Sequence, residues 1–404
     1  MARTIPIFAQ KKASTATALE FRVSPPLALY VHVPWCVQKC PYCDFNSHEA
    51  QGAIPEAEYV AALIADLQSA LPLIWGRPVV SVFFGGGTPS LLSPAAIDEL
   101  IAAFRALAML SPEAEITLEA NPGTVEAEKF AGFRAAGVNR LSVGIQSFND
   151  EHLKALGRIH DVAQAKRAAQ LAGAHFESFN LDLMYGLPGQ TTEQALTDVE
   201  TALTFAPPHL SCYQLTLEPN TRFAAFPPAL PEDDLCADMQ EAIEARLAVA
   251  GYANYETSAF ARTGHQCRHN LNYWHFGDYL GIGAGAHSKL TLHDRVLRQM
   301  RWKQPAAYLD HARAGNPIQT SSEVAARQLP FEFLMNALRL HEGFPPALFE
   351  SRTAQPLTAI LPQLKAAEAE GLLEISPERI APTLRGRRFL NVLLERFLDD
   401  GDAA

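Results

Sequence analysis

Cysteine is scarce in this chain, with six residues in 404. That excludes a disulfide framework as the source of stability, because such scaffolds are short and cysteine-dense. Positive charge is also in deficit: Lys and Arg number 33 against 44 Asp and Glu, for a net charge of −11. The balance argues against nucleic-acid binding as the main business of the surface. No run approaches the roughly eighteen apolar residues of a membrane span. Residues 1–24 carry Arg3, Lys11, Lys12 and one acid, Glu20, and no apolar signal-type stretch follows them. The segment reads as an N-terminal tail, and reduced thiols in an acidic chain point to the cytoplasm. What is plentiful is apolar. Hydrophobic residues make up 48%, ample for a core, and the length suits one large domain plus a smaller one.

Three of the few cysteines are crowded together as Cys36-Val37-Gln38-Lys39-Cys40-Pro41-Tyr42-Cys43, a C-x3-C-x2-C pattern just after a short apolar run. Three close thiolates can hold an iron–sulfur cube at three of its irons and leave the fourth iron for a non-protein ligand. Electron-transfer clusters usually take a fourth cysteine, and structural zinc wants four tetrahedral ligands. Pro34 and Pro41 keep the loop from being helical, so it can wrap a compact group. Zinc on Cys36, Cys40, Cys43 and a later ligand such as His48 is the alternative that spacing leaves open.

From about residue 26 the chain alternates β-rich apolar runs with helical stretches, the pattern of repeated βα units. The strands are expected at Leu27–Val33, Val79–Phe84, Ile116–Ala120, Arg140–Ile145, Phe179–Met184 and Leu210–Leu217. Helices are expected at Glu56–Leu71, Pro94–Leu107 and Val162–Ala172. Nearly continuous apolar strands predict a parallel sheet covered on both faces, and six units predict an open or partial barrel. Polar or glycine-rich motifs follow the strands one after another: the cysteine loop, Gly85-Gly86-Gly87-Thr88-Pro89, Glu119-Ala120-Asn121-Pro122, Gln146-Ser147-Phe148 and Gly186-Leu187-Pro188-Gly189. Loops at strand C-termini build the active sites of α/β barrels, so these predict one composite site. After about residue 222 the pattern changes. The last eighty or so residues read as a helical module of winged-helix shape, with helices around Leu329–Leu340, Leu361–Glu370 and Gly386–Leu398.

Taken together, the cysteine loop with an aromatic before its third Cys, the GGGTP, LEANP and GIQSF runs, and Asn180-Leu181-Asp182-Leu183-Met184-Tyr185-Gly186-Leu187-Pro188-Gly189-Gln190 resemble radical S-adenosylmethionine (SAM) proteins. The branch is the one containing anaerobic coproporphyrinogen III oxidase and its heme-chaperone relative. The resemblance runs from about Leu27 to the C-terminus. It implies an α/β fold, a partial (β/α)6 radical SAM barrel with a C-terminal helical, winged-helix-like domain. The expected divisions are a tail at 1–24, the radical SAM core at 25–255, a connecting region at 256–322 and the C-terminal domain at 323–404.

The resemblance also implies a 4Fe–4S cluster on Cys36, Cys40 and Cys43, with SAM on the open iron. Tyr30, Gly86, Gly87, Thr88, Glu119, Gln146, Arg158 and Asp182 fall at positions expected for SAM, and in the oxidase a second SAM has been placed. Gly86 and Gly87 admit close backbone approach, and Glu119 suits ribose hydroxyls. Two functions follow. One is a heme chaperone that binds heme and passes it to an acceptor protein. The other is oxygen-independent coproporphyrinogen III oxidase, which decarboxylates its substrate to protoporphyrinogen IX. Phe45 stands where the oxidase motif has a further cysteine, and the chain before Cys36 is short, which favours the chaperone. So does His269-Asn270-Leu271-Asn272-Tyr273-Trp274, which matches the chaperone's H-N-x-x-Y-W motif. Imidazole is a natural axial ligand for heme iron, and Tyr273 and Trp274 offer flat faces to a porphyrin. His265, Cys267 and His287 lie nearby as alternative ligands. The expected partners are heme and a heme-accepting protein, a respiratory one among the candidates, with peripheral membrane association and a homodimer as further expectations.

Overall fold

The computed structural model describes residues 19–123 and 127–398. Most of the expected tail, including Arg3, Lys11 and Lys12, therefore lies outside the described residues. The frame is a 12-stranded sheet. Its strands are β1 (Leu27–Val33), β2 (Pro78–Gly86), β3 (Met109–Ala120), β4 (Arg140–Gln146), β5 (Ser178–Tyr185), β6 (His209–Gln214), β7 (Ala253–Glu256), β8 (Ala259–Ala261), β9 (Asp278–Ile282), β10 (His287–Thr291), β11 (Val296–Arg301) and β12 (Ile318–Glu323). The order across the sheet is β12-β11-β10-β9-β1-β2-β3-β4-β5-β6-β8-β7.

β1 through β6 pair in parallel, each with the next. These are the six expected units, and the architecture is the partial radical SAM barrel with a helical C-terminal region. Burial explains their apolar runs: Val31, Val82, Leu118, Leu141, Val143, Leu181 and Leu210 are wholly buried. The covering helices include α1 (Glu56–Ile74), α2 (Pro94–Leu107), α3 (Phe130–Ala136), α4 (Val162–His175), α5 (Thr192–Leu203) and α6 (Asp233–Val249). α4 and α5 begin with reciprocal capping boxes, Asp161 with Gln164 and Thr191 with Gln194, which satisfy the first-turn amides. β3 begins at Met109, well before the expected Ile116, because Met109 and Leu110 pair with Pro78 and Val79 ahead of a register shift. β6 stops at Gln214, short of the expected Leu217.

Residues 256–322, expected as a connecting region, extend the sheet. β9 pairs in parallel with β1, and β10, β11 and β12 follow antiparallel. β8 and β7 close the other edge beside β6. Between β8 and β9 the chain forms α7 (Arg268–Trp274), the HNxxYW segment.

α1 is the one helix among the described residues long and apolar enough to cross a bilayer. It is a core helix here. Tyr59, Leu63 and Leu67 are fully buried, and Asp66 makes a buried ion pair with Arg301 at 3.1 Å. Past Leu329 lie α8 (Leu329–Ala337), α9 (Pro346–Thr353), α10 (Leu361–Ala369), a two-strand hairpin of Leu373–Ile375 with Ile380–Pro382, and two short helices. Phe333, Phe344 and Phe349 pack edge to face as the centre of their own core.

Candidate functional site

Because β1–β6 are parallel, their C-terminal ends share one rim. There a cavity of about 310 Å³ is lined by Cys36, Cys40, Cys43, Gly86, Gly87, Thr88, Glu119, Gln146, Arg158 and Asp182. The structure thus gathers every cluster and SAM candidate read from the sequence except Tyr30. Its size is that of a small-molecule pocket, ~300–1,000 Å³.

The cysteine loop is closed by short parallel pairing, Trp35 with His48 and Cys36 with Glu49. The Lys39 amide donates to Glu49 Oε1 at 3.0 Å, and its ammonium donates to the carbonyls of Phe45 and Ser47. His32 Nε2 donates to the Asn46 carbonyl at 2.9 Å, which leaves Nδ1 to accept from the Tyr30 hydroxyl at 3.1 Å. Asn46 in turn donates to the carbonyls of Ala284 and Lys303. Tyr30 therefore supports the loop from below through His32. Burial brings His32 down to about 4, so its imidazole is neutral.

Burial also pushes the thiols of Cys36 and Cys43 up, with the Thr88 hydroxyl and the Phe45 amide pulling the other way. Arg158 stands beside the third thiol, with Nη1 3.5 Å from Cys40 Sγ. Its Nη2 donates to Asn121 Oδ1 at 2.7 Å and to the Gly144 carbonyl at 3.0 Å. Burial opposes the guanidinium charge, but Tyr42 and Cys40 hold Arg158 above its ordinary range. A fixed cation beside a thiolate is suited to anchoring negative charge.

The glycines have a packing reason beyond access to a ligand. Gly86 has φ +114°, and a Cβ on it would meet the His32 ring at 2.6 Å; one on Gly87 would meet the Trp35 carbonyl at 2.6 Å. Both let β2 approach the cysteine loop. Glu119 accepts from the Gly86 amide at 3.2 Å and is pushed up to about 8, by burial first and by Asp182 second. Asp182 accepts from Ser142 and Asn180 at 3.0 and 2.8 Å. Gln146 ends β4 at φ 68°, just past a register break, a strained backbone for a residue with a side chain. The turn after it is held by Asp198, which accepts from the Ser147 hydroxyl and the Phe148 amide, both at 2.7 Å. His32, Asn46, Asn121 and Asp198 were not singled out in the sequence. Only Asn121 lies in a motif that could have flagged it.

The heme candidates lie elsewhere. His269 is 1% exposed and seated against Ser81, with Nδ1 3.0 Å from its hydroxyl and its ring stacked on Phe83. Glu115 receives the amides of Arg268 and His269 and the thiol of Cys267. α7 thus plugs the barrel interior from the end opposite the cysteines. Tyr273 packs between His269 and Tyr279, while Arg339 lies over the Trp274 ring at 4.3 Å. Of the alternative ligands, Cys267 is buried against Glu115 and His287 is exposed on β10. The chamber above α7 is about 210 Å³, and Tyr30 lines this chamber, not the upper cavity. A porphyrin does not fit in it.

Residues 30–202 match the Radical SAM superfamily, and residues 324–389 match the HemN C-terminal domain. The chain is 51% identical over 376 residues to heme chaperone HemW of Escherichia coli (strain K12), covering 93% of this chain and 98% of that one. It is 49% identical to heme chaperone HemW of Haemophilus influenzae, with 93% and 99% covered. The chain belongs to the HemW family of radical SAM proteins.

Among solved structures, coproporphyrinogen III oxidase (HemN) from Escherichia coli, described as a radical SAM enzyme, aligns with a TM-score of 0.78 at 25% identity. That alignment covers 93% of this chain and 90% of HemN. Membership of the radical SAM group implies a 4Fe–4S cluster and SAM. The residues present fit both. Among the described residues no three His, Cys, Asp or Glu side chains converge on a single metal ion. A cube asks for something different, since each cysteine binds its own iron. The three half-buried thiols and the adjoining cavity, with Phe45 58% exposed at its edge, meet that demand.

Proposed function

We propose that this protein is a heme chaperone, which binds heme and passes it to an acceptor protein, with a 4Fe–4S cluster and SAM at the barrel rim. Cys36, Cys40 and Cys43 hold the cluster. Gly86, Gly87 and Thr88 line the wall beside it, and Glu119, Gln146, Arg158 and Asp182 bind SAM. When bound, the cluster and SAM supply one-electron chemistry. The single observation that carries the chaperone over the oxidase is Phe45, which stands where the resembling oxidase has a further cysteine.

His269, Tyr273 and Trp274 are proposed as the heme segment. Because His269 is seated on Ser81 at the barrel floor, heme ligation belongs to a conformation in which α7 has withdrawn. In the seated state burial holds His269 down near 3, so the imidazole is neutral, and its Nε2 has no partner. The heme acceptor is a separate protein, a respiratory one among the candidates. Peripheral membrane association and a homodimer are not part of this proposal.

The test is one anaerobic sample with its cluster reconstituted, assayed for heme transfer to an apo-heme protein and for coproporphyrinogen turnover. Transfer without turnover is the expected result. Protoporphyrinogen formation would overturn the reading in favour of the oxidase. His269→Ala should lose the heme Soret shift, and an unchanged titration removes His269 from the heme site.

A further inference from the structure

The chamber between the rim and α7 carries a charge that the site described above does not use. Arg140, the first residue of β4, is 3% exposed and lines this chamber. Its Nε has no hydrogen-bond partner, and no carboxylate among the described residues lies within ion-pair distance of it. Burial alone would depress the Arg140 guanidinium, yet Cys267, Glu115 and Tyr255, and after them Asp182, hold it above its ordinary range. Of these, Asp182 shares the chamber wall with it.

The chamber wall holds two carboxylates, Glu119 from β3 and Asp182 from β5, and both also line the upper cavity. The other titratable groups facing them carry no positive charge. β1 supplies Tyr30, β6 supplies His209 and Tyr213, and α7 supplies His269 and Tyr273. His209 and His269 are both held neutral by burial. Below, Glu115 of β3 accepts from the α7 amides and also supports the Arg140 charge, and Cys212 of β6 is a thiol that burial keeps protonated. Above, Arg158 is turned to Cys40 and Asn121. Arg140 is the one full positive charge on the chamber wall.

We propose that Arg140 is a positioning residue for the SAM site, the counter-charge that lets Glu119 and Asp182 ionise together and so accept hydrogen bonds from the ribose hydroxyls. Two carboxylates in one dry space otherwise share a proton, because their repulsion and desolvation both oppose the second charge. The field of Arg140 pulls both acids toward ionisation against that burial. The inference rests on the reading of Glu119 and Asp182 as SAM ligands.

The test uses the full chain and 5′-methylthioadenosine, which keeps the ribose but lacks the amino and carboxylate groups that would reach a cluster. Its Kd is measured calorimetrically from pH 6 to 9.5. Wild-type affinity should rise up to about pH 8 and then level, following Glu119. Arg140→Met should move that rise alkaline by about one pH unit, a loss of about tenfold at pH 7 that closes at high pH. Arg140→Lys should stay near the wild-type profile. A loss in Arg140→Met that is equal at every pH, or no loss, overturns the proposal. If Arg140→Met does not fold, the Lys variant decides: a wild-type-like profile supports the proposal, and a uniformly weak one overturns it. If the wild type binds no 5′-methylthioadenosine at any pH, the ribose reading itself fails and takes this inference with it.

Discussion

At the C-terminal ends of β1–β6 the strands give way to loops, three thiols are left half-buried, and a cavity of about 310 Å³ opens among them. At the other end the same barrel is shut. α7 is seated by the Glu115 carboxylate, the Ser81 hydroxyl and the Phe83 ring, and His269 is 1% exposed. The rim is preorganised for a ligand that binds the structure as it stands. At the floor, the proposed heme ligand His269 would be presented only after α7 has moved. Sequence motifs of equal clarity therefore differ in kind: the cysteine loop lies open at a cavity, and HNxxYW is a segment the fold holds seated.

The sharpest way to separate the two ends is to delete a ligand from each. Cys40→Ser should abolish the reconstituted cluster, with iron content and its visible absorption falling to near background. His269→Ala should leave both at the wild-type level while removing heme binding. Loss of the cluster in the floor variant would mean that the two ends are not independent.

The seat itself can be loosened. Glu115→Ala strips the α7 amides of their acceptor, which should cost about 3 kcal/mol in a chemical melt. If α7 has to withdraw for heme to bind, the same variant, or the milder Ser81→Ala, should take up heme faster in stopped-flow mixing. Slower uptake in both would place the heme site away from α7.

At the rim, Gly86→Ala puts a methyl group 2.6 Å from the His32 ring at a backbone φ of +114°. The cost should be about 2 kcal/mol, read as a lower thermal midpoint, with weaker cluster retention because His32 also holds Asn46. A neutral outcome would show that His32 can shift without loosening the loop.

How legible each end was follows from the same contrast. The apolar runs of β1–β6 are long and buried on both faces, so their existence and order could be read directly. The rim was legible because its motifs sit in the C-terminal halves of the strands or just after them, Arg158 excepted, which a short helix separates from β4. What escaped was held by contacts distant in sequence. β9, only five residues long, joins β1 as a further parallel strand, and nothing in Asp278–Ile282 announces that pairing. Asn46 reaches carbonyls of residues 284 and 303. The burial of His269 depends on Ser81 and Glu115, which no local pattern links to it, so a chemically sensible motif was readable while its accessibility was not. Arg140 likewise sits in an ordinary strand sequence, and only the chamber gives it meaning.

The smallest expected effect is also the one that sets the two ends against each other most directly. His269 and His32 are held near 3 and 4 in the fold, below the ordinary histidine value of about 6.5. The unfolded chain therefore takes up protons that the fold refuses, so stability is full above about pH 6.5 and falls as the pH drops toward 4. Glu119 runs the other way. Burial raises it from about 4.5 to about 8, so its contribution is full below about 4.5 and is lost as pH rises through 8. Acid should thus strain both ends, through His269 at the floor and His32 under the rim loop, and alkali the rim. Melts of the wild type should fall on both sides of neutrality. His269→Gln should make the acid limb shallower by about one proton, and Glu119→Gln should do the same to the alkaline limb. If either substitution changes the opposite limb instead, the two ends share one titrating network through the chamber, and the division between an open rim and a closed floor would have to be redrawn around Arg140.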